Sequence, residues 1–231
     1  MRVHVAFTPA EQAAAPVGIV VDVLRATSTI AQALASGYRR VLCCAEVEQA
    51  RALRTSLGGE GVVGGERDAV RIEGFDLGAS PREMLEARAE TLVLSTTNGT
   101  RAILAAAERC DEVVLGSLLN LEAVARAAQE ADDVAVLCAG FKGAFAFDDA
   151  YCAGRIVASI GDSGERSDAA IAAALLGRAY PRALDGLNAR TYGPPGLEAD
   201  IEWCARESVL DVVPRLTGVV DGAAEIATTE A

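Results

Sequence analysis

The segment DVLRATST, Asp22 to Thr29, combines a carboxylate, a guanidinium and three hydroxyls directly after an apolar run. A carboxylate at the end of a strand can bind Mg²⁺ or attack phosphorus. Arg25 follows Asp22 by three residues, and its planar group suits phosphate, carboxylate or sulfonate. Ser28 and Thr29 add hydroxyls at the start of a predicted helix. The segment indicates a site for a metal ion or an anion, and a helix N-cap with a surface ion pair is the alternative that stays open.

A second polar segment, STTNGTR, lies between an apolar run and an alanine-rich helical pattern. Its candidate binding residues are Thr96, Thr97, Asn98, Gly99, Thr100 and Arg101. The start of a helix attracts anions through its unpaired N–H groups and the aligned peptide dipoles. A glycine there lets the backbone approach a ligand closely. One helix cap does not require six such residues, so we expect an anion site, with a well-capped helix as the alternative.

Acidic residues follow two further apolar runs. Glu66 lies in GGERDAVRIEGFDLGASP and is a second candidate metal ligand, and Asp76 and Ser80 of the same segment are candidates for the lining of a pocket. Asp148 and Asp149 precede a helix of small residues, which they could cap, or they could help to hold Mg²⁺. A long surface loop is the alternative for the first of these segments.

The charge balance narrows the class of ligand. The chain has 231 residues, of which 51% are hydrophobic, and a net charge of −12. This argues against a nucleic-acid-binding protein, which needs a basic face. A local cluster of cations can still bind a small anion. Lys142, the only lysine, stands among glycines in CAGFKGAF, and we include it among the substrate-binding candidates.

The location of the protein also follows from the apolar pattern. No apolar run approaches the ~20 residues that span a bilayer, and the N-terminus lacks the apolar core of a signal peptide. We therefore expect a cytoplasmic protein with no membrane partner. The six cysteines form no C-x-x-C pair and lie mostly in apolar runs, which predicts buried free thiols.

The elements that must position these residues alternate along the chain. Apolar runs that are typical of strands buried on both faces occupy Val17–Val23, Arg40–Cys44, Gly61–Val63, Thr91–Leu94, Glu112–Leu115 and Val134–Cys138. Helical patterns occupy Thr29–Ser36, Val47–Leu57, Arg101–Arg109 and Leu121–Gln129, and a further strand is expected near Val209–Val220. This order predicts a three-layer α/β/α fold with a mostly parallel, or mixed, central sheet. The polar segments would then meet outside the carboxyl ends of the strands.

Six stretches in this order resemble the 2-phosphosulfolactate phosphatase family. They are VVDVLRATSTI, GGERDAVRIEGFDLGASP, STTNGTRAI, GSLLNLEAVA, CAGFKGAFAFDDAYCAG and DIEWCARESVLDVVP, and they cover most of residues 17–214. The resemblance implies that residues 1–231 form a single α/β phosphatase domain. It implies Mg²⁺-dependent hydrolysis of 2-phospho-3-sulfolactate to 3-sulfolactate and phosphate, as in coenzyme M biosynthesis. Two positions depart from the family pattern: Ala79 replaces an asparagine, and Asp148 replaces a glutamate.

With this resemblance, the candidate residues take roles in one hypothesis. Asp22, Arg25 and Asp149 are the expected catalytic residues, and Asp22, Glu66, Asp148 and Asp149 are the expected metal ligands. A carboxylate or a bound water must serve as general acid, because His4 is the only histidine and lies in an early strand-like segment. Attack by water and attack by Asp22 both remain open. A non-catalytic binding protein for organic phosphates or sulfonates is the alternative function, and a homodimer is expected from the many small-residue helices.

Overall fold

A computed structural model describes residues 1–11, 13–58, 60–161, 164–191 and 195–228. Its strands are β1 (Arg2–Ala6), β2 (Val17–Val21), β3 (Arg40–Cys44), β4 (Val62–Arg67), β5 (Val70–Arg71), β6 (Thr91–Ser95), β7 (Glu112–Gly116), β8 (Asp133–Cys138), β9 (Glu165–Arg166), β10 (Pro214–Val220) and β11 (Ala223–Thr228). Its α-helices are α1 (Ala26–Ala35), α2 (Val47–Ser56), α3 (Gly99–Ala107), α4 (Leu121–Ala128), α5 (Phe147–Ile160), α6 (Asp168–Ala179), α7 (Ala183–Asn188) and α8 (Glu198–Cys204). The predicted strands and helices up to Gln129 and the strand at Val134–Cys138 are confirmed to within about four residues.

The strands form one sheet in the order β5-β4-β6-β3-β11-β10-β7-β2-β8-β1-β9. Most neighbouring strands are parallel, and the antiparallel pairs involve β5 and the hairpin of β10 and β11. The sequence predicts a single strand near Val209–Val220, whereas the structure has this hairpin, inserted between β3 and β7. The sheet is therefore mixed, as the fold prediction allowed.

The hairpin reverses the strand direction between the two halves of the sheet. Because β10 is antiparallel to both β7 and β11, and β11 is antiparallel to β3, the strands β3, β4 and β6 oppose β2, β7 and β8. Five steps separate β2 from β6. In a flat sheet the carboxyl ends of these two strands would lie at opposite edges. The segments that follow them nevertheless meet, since a Cβ on Gly99 would lie 2.7 Å from Oδ2 of Asp22.

Helices cover both faces of the sheet. Successive side chains of a strand point to opposite faces. Thus Val20 packs with α1 and α3, while Ile19 and Val21 pack with α4 to α8. At the other half of the sheet, Leu42 and Cys44 pack against α2. This is the predicted three-layer arrangement, and the continuous apolar runs follow from burial on both faces.

Two simpler expectations can be compared with the described residues. No helix in the described ranges has the length and apolarity to cross a bilayer. All six cysteines are free, five of them are buried, and Cys110 is partly exposed, which confirms the prediction of free thiols.

Candidate active site

Polar residues that follow β2, β4, β6 and β8 line one cavity of about 220 Å³. All four predicted metal ligands, Asp22, Glu66, Asp148 and Asp149, lie in its wall. Apolar atoms of Leu24, Ala79, Phe141 and Leu197 complete part of the lining. The cavity therefore offers carboxylates on one wall and a surface for carbon atoms on another.

Asp22 lies directly after β2 and is 7% exposed. Its Oδ1 accepts the N–H of Ala26 at 3.4 Å, and the N–H of Gly99 also donates to this carboxylate. Burial raises the pKa of Asp22 to about 7, and the nearby carboxylates of Asp148 and Glu66 add to the increase. A cation bound nearby would therefore stabilise the ionised form of Asp22.

The start of α3 approaches Asp22 so closely that only glycine fits at position 99. A Cβ on Gly99 would lie 2.4 Å from the Cβ of Ala26 and 2.7 Å from Oδ2 of Asp22. The missing side chain lets the first turn of α3 reach the carboxylate after β2. The close approach that the sequence predicts for a ligand is thus made by Gly99 to the carboxylate of Asp22.

Asp149, in the first turn of α5, connects two strand ends. Its Oδ1 accepts the N–H of Val23 at 2.9 Å, and its Oδ2 accepts the N–H of Gly140 at 3.0 Å. Burial raises the pKa of Asp149 well above its usual value, and the neighbouring acids Asp148 and Asp22 contribute. Asp148 is also buried, and its Oδ1 accepts the N–H of Asp149 at 3.2 Å.

Glu66, at the end of β4, is held by the segment after β6. Its Oε1 accepts the N–H of Thr97 at 2.9 Å and the hydroxyl of Thr97 at 2.8 Å. Its Oε2 accepts the N–H of Ala69 at 2.7 Å. The donors of STTNGTR therefore hold carboxylates of the cavity wall: Thr97 orients Glu66, and Gly99 contacts Asp22.

Arg25 lines the cavity with a side chain that is only 9% exposed. Its Nη1 donates to Oδ2 of Asp200 at 2.6 Å, and its Nη2 donates to the carbonyl of Ala69 at 3.3 Å. Asp200 belongs to α8, and its Oδ1 accepts the hydroxyl of Ser80 at 2.6 Å. The predicted role of Ser80 in the lining is thus replaced by a contact behind Arg25.

Lys142 and Arg190 supply further cations to the lining. Lys142 lies at a tight turn after β8, and its Nζ is 3.0 Å from Oδ1 of Asp68. Its N–H donates to the side-chain oxygen of Asn98 at 3.2 Å, which connects this turn to the segment after β6. Arg190 follows α7 and belongs to none of the sequence motifs that predict the site.

The sequence model of the family described as 2-phosphosulpholactate phosphatase matches residues 4–218, a range that contains every residue of this cavity. The chain belongs to this family. Proteins named "Probable 2-phosphosulfolactate phosphatase" are similar to it over nearly their whole length. The one from Thermus thermophilus is 40% identical over 231 residues, covering 95% of this chain and 96% of the relative. The one from Clostridium acetobutylicum is 36% identical over 209 residues, covering 86% and 88%.

Several of the predicted site residues do not line the cavity of this family member. The hydroxyl of Ser28 donates to the carbonyl of Val23, and that of Thr29 donates to the carbonyl of Ala79, each at 2.8 Å. Both side chains are fully buried and connect main-chain segments. Their expected role in phosphate binding is therefore replaced by a role in holding the walls together.

Arg101 and Thr100 differ from expectation as well. The Arg101 side chain is 63% exposed and pairs with Glu46 at 3.0 Å, outside the cavity lining. The hydroxyl of Thr100 lies 3.1 Å from that of Thr96, which does line the cavity. Asp76 accepts the N–H of Val63 and pairs with Arg54 instead of facing the cavity. Arg101 lies two residues after Gly99 in α3, so the rotation of the helix directs its side chain away from the cavity. The order of residues alone does not show this direction.

The donor set of this site has the chemistry of a hard divalent cation, which prefers carboxylate oxygens. Within the described part of the chain, no three acidic, histidine or cysteine side chains form a preassembled metal cluster. Among the described residues, each oxygen of Asp149 accepts one main-chain N–H, and Oε2 of Glu66 accepts one as well, which leaves each oxygen a second lone pair. Buried acids with raised pKa values beside one another are stabilised by a cation. The residues present therefore fit a divalent metal.

Proposed function

We propose that this protein is a Mg²⁺-dependent phosphatase that hydrolyses the phosphomonoester of a 2-hydroxy acid. The substrate would be 2-phospho-3-sulfolactate, and the products 3-sulfolactate and phosphate. The observation that carries the proposal is the shared cavity of Asp22, Glu66, Asp148, Asp149 and Arg25. The names of the relatives support the substrate class.

The net charge of the cavity lining supports the proposal of a bound divalent metal ion. Its lining contains five acidic side chains, Asp22, Glu66, Asp68, Asp148 and Asp149, and three basic ones, Arg25, Lys142 and Arg190, so its net charge is −2 when all are ionised. With these acids ionised, a substrate with phosphate, carboxylate and sulfonate groups would be repelled. A divalent cation removes the repulsion. The alternative of a metal-free binding protein gives no reason for so many acids.

The residues of the site divide the remaining tasks. A bound Mg²⁺ would neutralise charge and lower the pKa of a coordinated water. Asp22, Glu66 and Asp148 are the first candidates to hold it, and Asp149 would be a ligand when ionised. Arg25 and Lys142 would donate to the anionic groups of the substrate, and the Asn98 amide adds a further donor.

Proton transfer to the leaving oxygen needs an acid within the cavity. His4 does not line it. Asp149 has a pKa that burial holds well above its usual value, so in its protonated form it could deliver a proton to the leaving alkoxide. The phosphorus–ester oxygen bond breaks as a bond forms from phosphorus to a water oxygen or to the Asp22 carboxylate.

Phosphate release from 2-phospho-3-sulfolactate tests the proposal. Activity should require Mg²⁺ and disappear in EDTA, and Asp22→Asn should abolish turnover while the protein stays folded. Asp111→Asn is the matched control, because this exposed acid precedes β7, a parallel neighbour of β2, and therefore lies at the edge of the sheet opposite to Asp22. Full activity in chelator would exclude the metal role, and wild-type rates in Asp22→Asn would exclude the catalytic role of that residue.

The attacking group can be identified separately. The stereochemical course at phosphorus distinguishes the two routes, measured with a chiral phosphorothioate analogue of the substrate in ¹⁸O-labelled water. Attack by Asp22 gives two displacements through a phospho-aspartate and therefore retention of configuration, whereas direct attack by water is one displacement and gives inversion. A protein that is stabilised by phosphate and sulfolactate but never turns over would instead be a binding protein.

Three expectations complete the proposal. We keep residues 1–231 as one catalytic domain, the cytoplasm as its location and a homodimer as its assembly. Helix α6 exposes Ile171 and Leu175, a candidate face for the second copy. Sedimentation equilibrium of the wild-type chain and of Leu175→Glu measures whether this face is used.

A further inference from the structure

Arg25 and Asp200 form a buried ion pair behind the cavity wall. The two side chains are 9% and 8% exposed, and their charged atoms are 2.6 Å apart. Asp200 lies 175 residues after Arg25 and does not itself line the cavity. A buried pair of charges is costly to build and adds little stability on its own. Its place beside the site therefore suggests a functional reason.

Ser80 fixes the orientation of Asp200. Its hydroxyl donates to Oδ1 at 2.6 Å, while Oδ2 accepts from Arg25. The same hydroxyl oxygen accepts the N–H of Arg82 at 3.2 Å, so Ser80 is itself held at the start of a short 3-10 helix. Both oxygens of Asp200 are thus engaged, and the carboxylate has one orientation toward Arg25.

This arrangement uses only part of the guanidinium. The hydrogen bonds among the described residues take two of its five N–H donors, one to Asp200 and one to the carbonyl of Ala69. The other three N–H groups make neither of these bonds, and Arg25 lines the cavity, so we infer that they can donate to oxygen atoms of a ligand there. A guanidinium held from behind is ready to donate two parallel bonds to a phosphate.

The alternative position of Arg25 explains why it must be held. Arg25 is three residues from Asp22, and both line a cavity whose acids outnumber its bases. Without a partner behind it, the guanidinium would be drawn to those acids. It would then compete with a divalent cation and no longer face the substrate.

We propose that Asp200 and Ser80 are positioning residues, which hold Arg25 facing the phosphoryl group and away from the metal-binding acids. The inference rests on the proposed role of Arg25 in phosphate binding. Asp200 acts through Arg25 and does not touch the substrate.

The test compares Asp200→Asn and Ser80→Ala with the wild type in phosphate release from 2-phospho-3-sulfolactate. A displacement of about 1 Å can cost about 100-fold, so kcat/KM should fall roughly 10- to 100-fold in Asp200→Asn. Ser80→Ala keeps both charges and should lose about 3- to 10-fold. The apparent Mg²⁺ affinity should also weaken in Asp200→Asn. Glu207→Gln is the matched control, because Glu207 pairs with Arg155 at 2.9 Å outside the cavity lining.

A double-mutant cycle separates positioning from a general structural role. In an Arg25→Gln background, Asp200→Asn should change kcat/KM by less than about twofold, because its effect passes through Arg25. A further tenfold loss in that background would overturn the proposal. Wild-type kinetics in both single variants, Ser80→Ala and Asp200→Asn, would also overturn it. If Asp200→Asn does not fold, the Ser80→Ala result decides, since that variant keeps the ion pair.

The failure of the proposed function gives a different pattern. If the wild-type protein releases no phosphate from the substrate, the same variants are compared by calorimetric titration with inorganic phosphate in the presence of Mg²⁺. Weaker phosphate binding in Asp200→Asn and Ser80→Ala, but not in Glu207→Gln, supports positioning of Arg25. Equal binding in all of them refutes it.

Discussion

Gly99→Ala tests the close approach of α3 to Asp22. The added methyl would lie 2.4 Å from the Cβ of Ala26, whereas carbon atoms are in favourable contact at about 3.5–4.0 Å. The first turn of α3 must therefore move away from Ala26 by about 1.1–1.6 Å. That movement would lengthen the hydrogen bond from the Gly99 N–H to Asp22 and displace Thr97, which holds Glu66.

The expected loss is much larger in activity than in stability. A displacement of about 1 Å in a catalytic group can reduce the rate about 100-fold, and we expect that reduction in kcat/KM. Overpacking costs about 1–3 kcal/mol, and replacing glycine by alanine in a helix restores about 0.5–1 kcal/mol. The net loss of at most about 2.5 kcal/mol would lower Tm by no more than about 10 °C, so the variant should be folded at 25 °C.

Phosphate release and thermal unfolding measure the two effects on the same preparation. Gly218→Ala is the control, because a Cβ there would meet no atom within 4 Å, and both its activity and its Tm should match the wild type. A Gly99→Ala variant within about threefold of wild-type kcat/KM would refute the argument that α3 positions Asp22. An equal loss in Gly218→Ala would show that glycine replacement acts by some general route.

Arg101→Ala should leave kcat/KM within about twofold of wild type, because its side chain is 63% exposed outside the cavity lining; a tenfold loss would return Arg101 to the site. Asp149→Asn should lower the free energy of unfolding, measured in urea, by about 1–3 kcal/mol, since the N–H groups of Val23 and Gly140 bond to different oxygens and the amide nitrogen that replaces one oxygen cannot accept. An unchanged midpoint would contradict this. Cys110 should react first with a thiol reagent at pH 8, because burial keeps the other five thiols from the reagent and raises the pKa of Cys44 to about 12. The fast phase should account for one thiol and vanish in Cys110→Ser.

The local elements of the fold could be predicted because their signals lie within a few residues of each other. The apolar run Arg40–Cys44 is β3 with unchanged bounds, and the pattern from Val47 becomes α2. Burial on both faces requires continuous apolar strands, and that pattern is visible in the sequence. The acids of the site could be proposed for the same reason, since Asp22 and Glu66 lie where apolar runs end.

Side-chain direction could not be predicted in the same way. Arg101 and Asn98 stand in one polar segment, yet only Asn98 lines the cavity. The hydroxyls of Ser28 and Thr29 donate to main-chain carbonyl groups, and the positions of those carbonyl groups depend on tertiary packing. Asp200 lies in one of the six stretches that resemble the family, but its contact with Arg25 spans 175 residues and depends on where α8 packs.

Most strands and helices, the carboxylates that follow the strands and the resemblance to the family could be predicted from the order of residues alone. The tertiary structure decided how those carboxylates meet. The hairpin of β10 and β11 makes the two halves of the sheet run in opposite directions, so the carboxyl ends of β2 and β6 would lie at opposite edges of a flat sheet. In the folded protein the segments that follow these strands meet, and Gly99 contacts Asp22. Pairing between distant strands depends on the whole sheet, and no local pattern of residues encodes it.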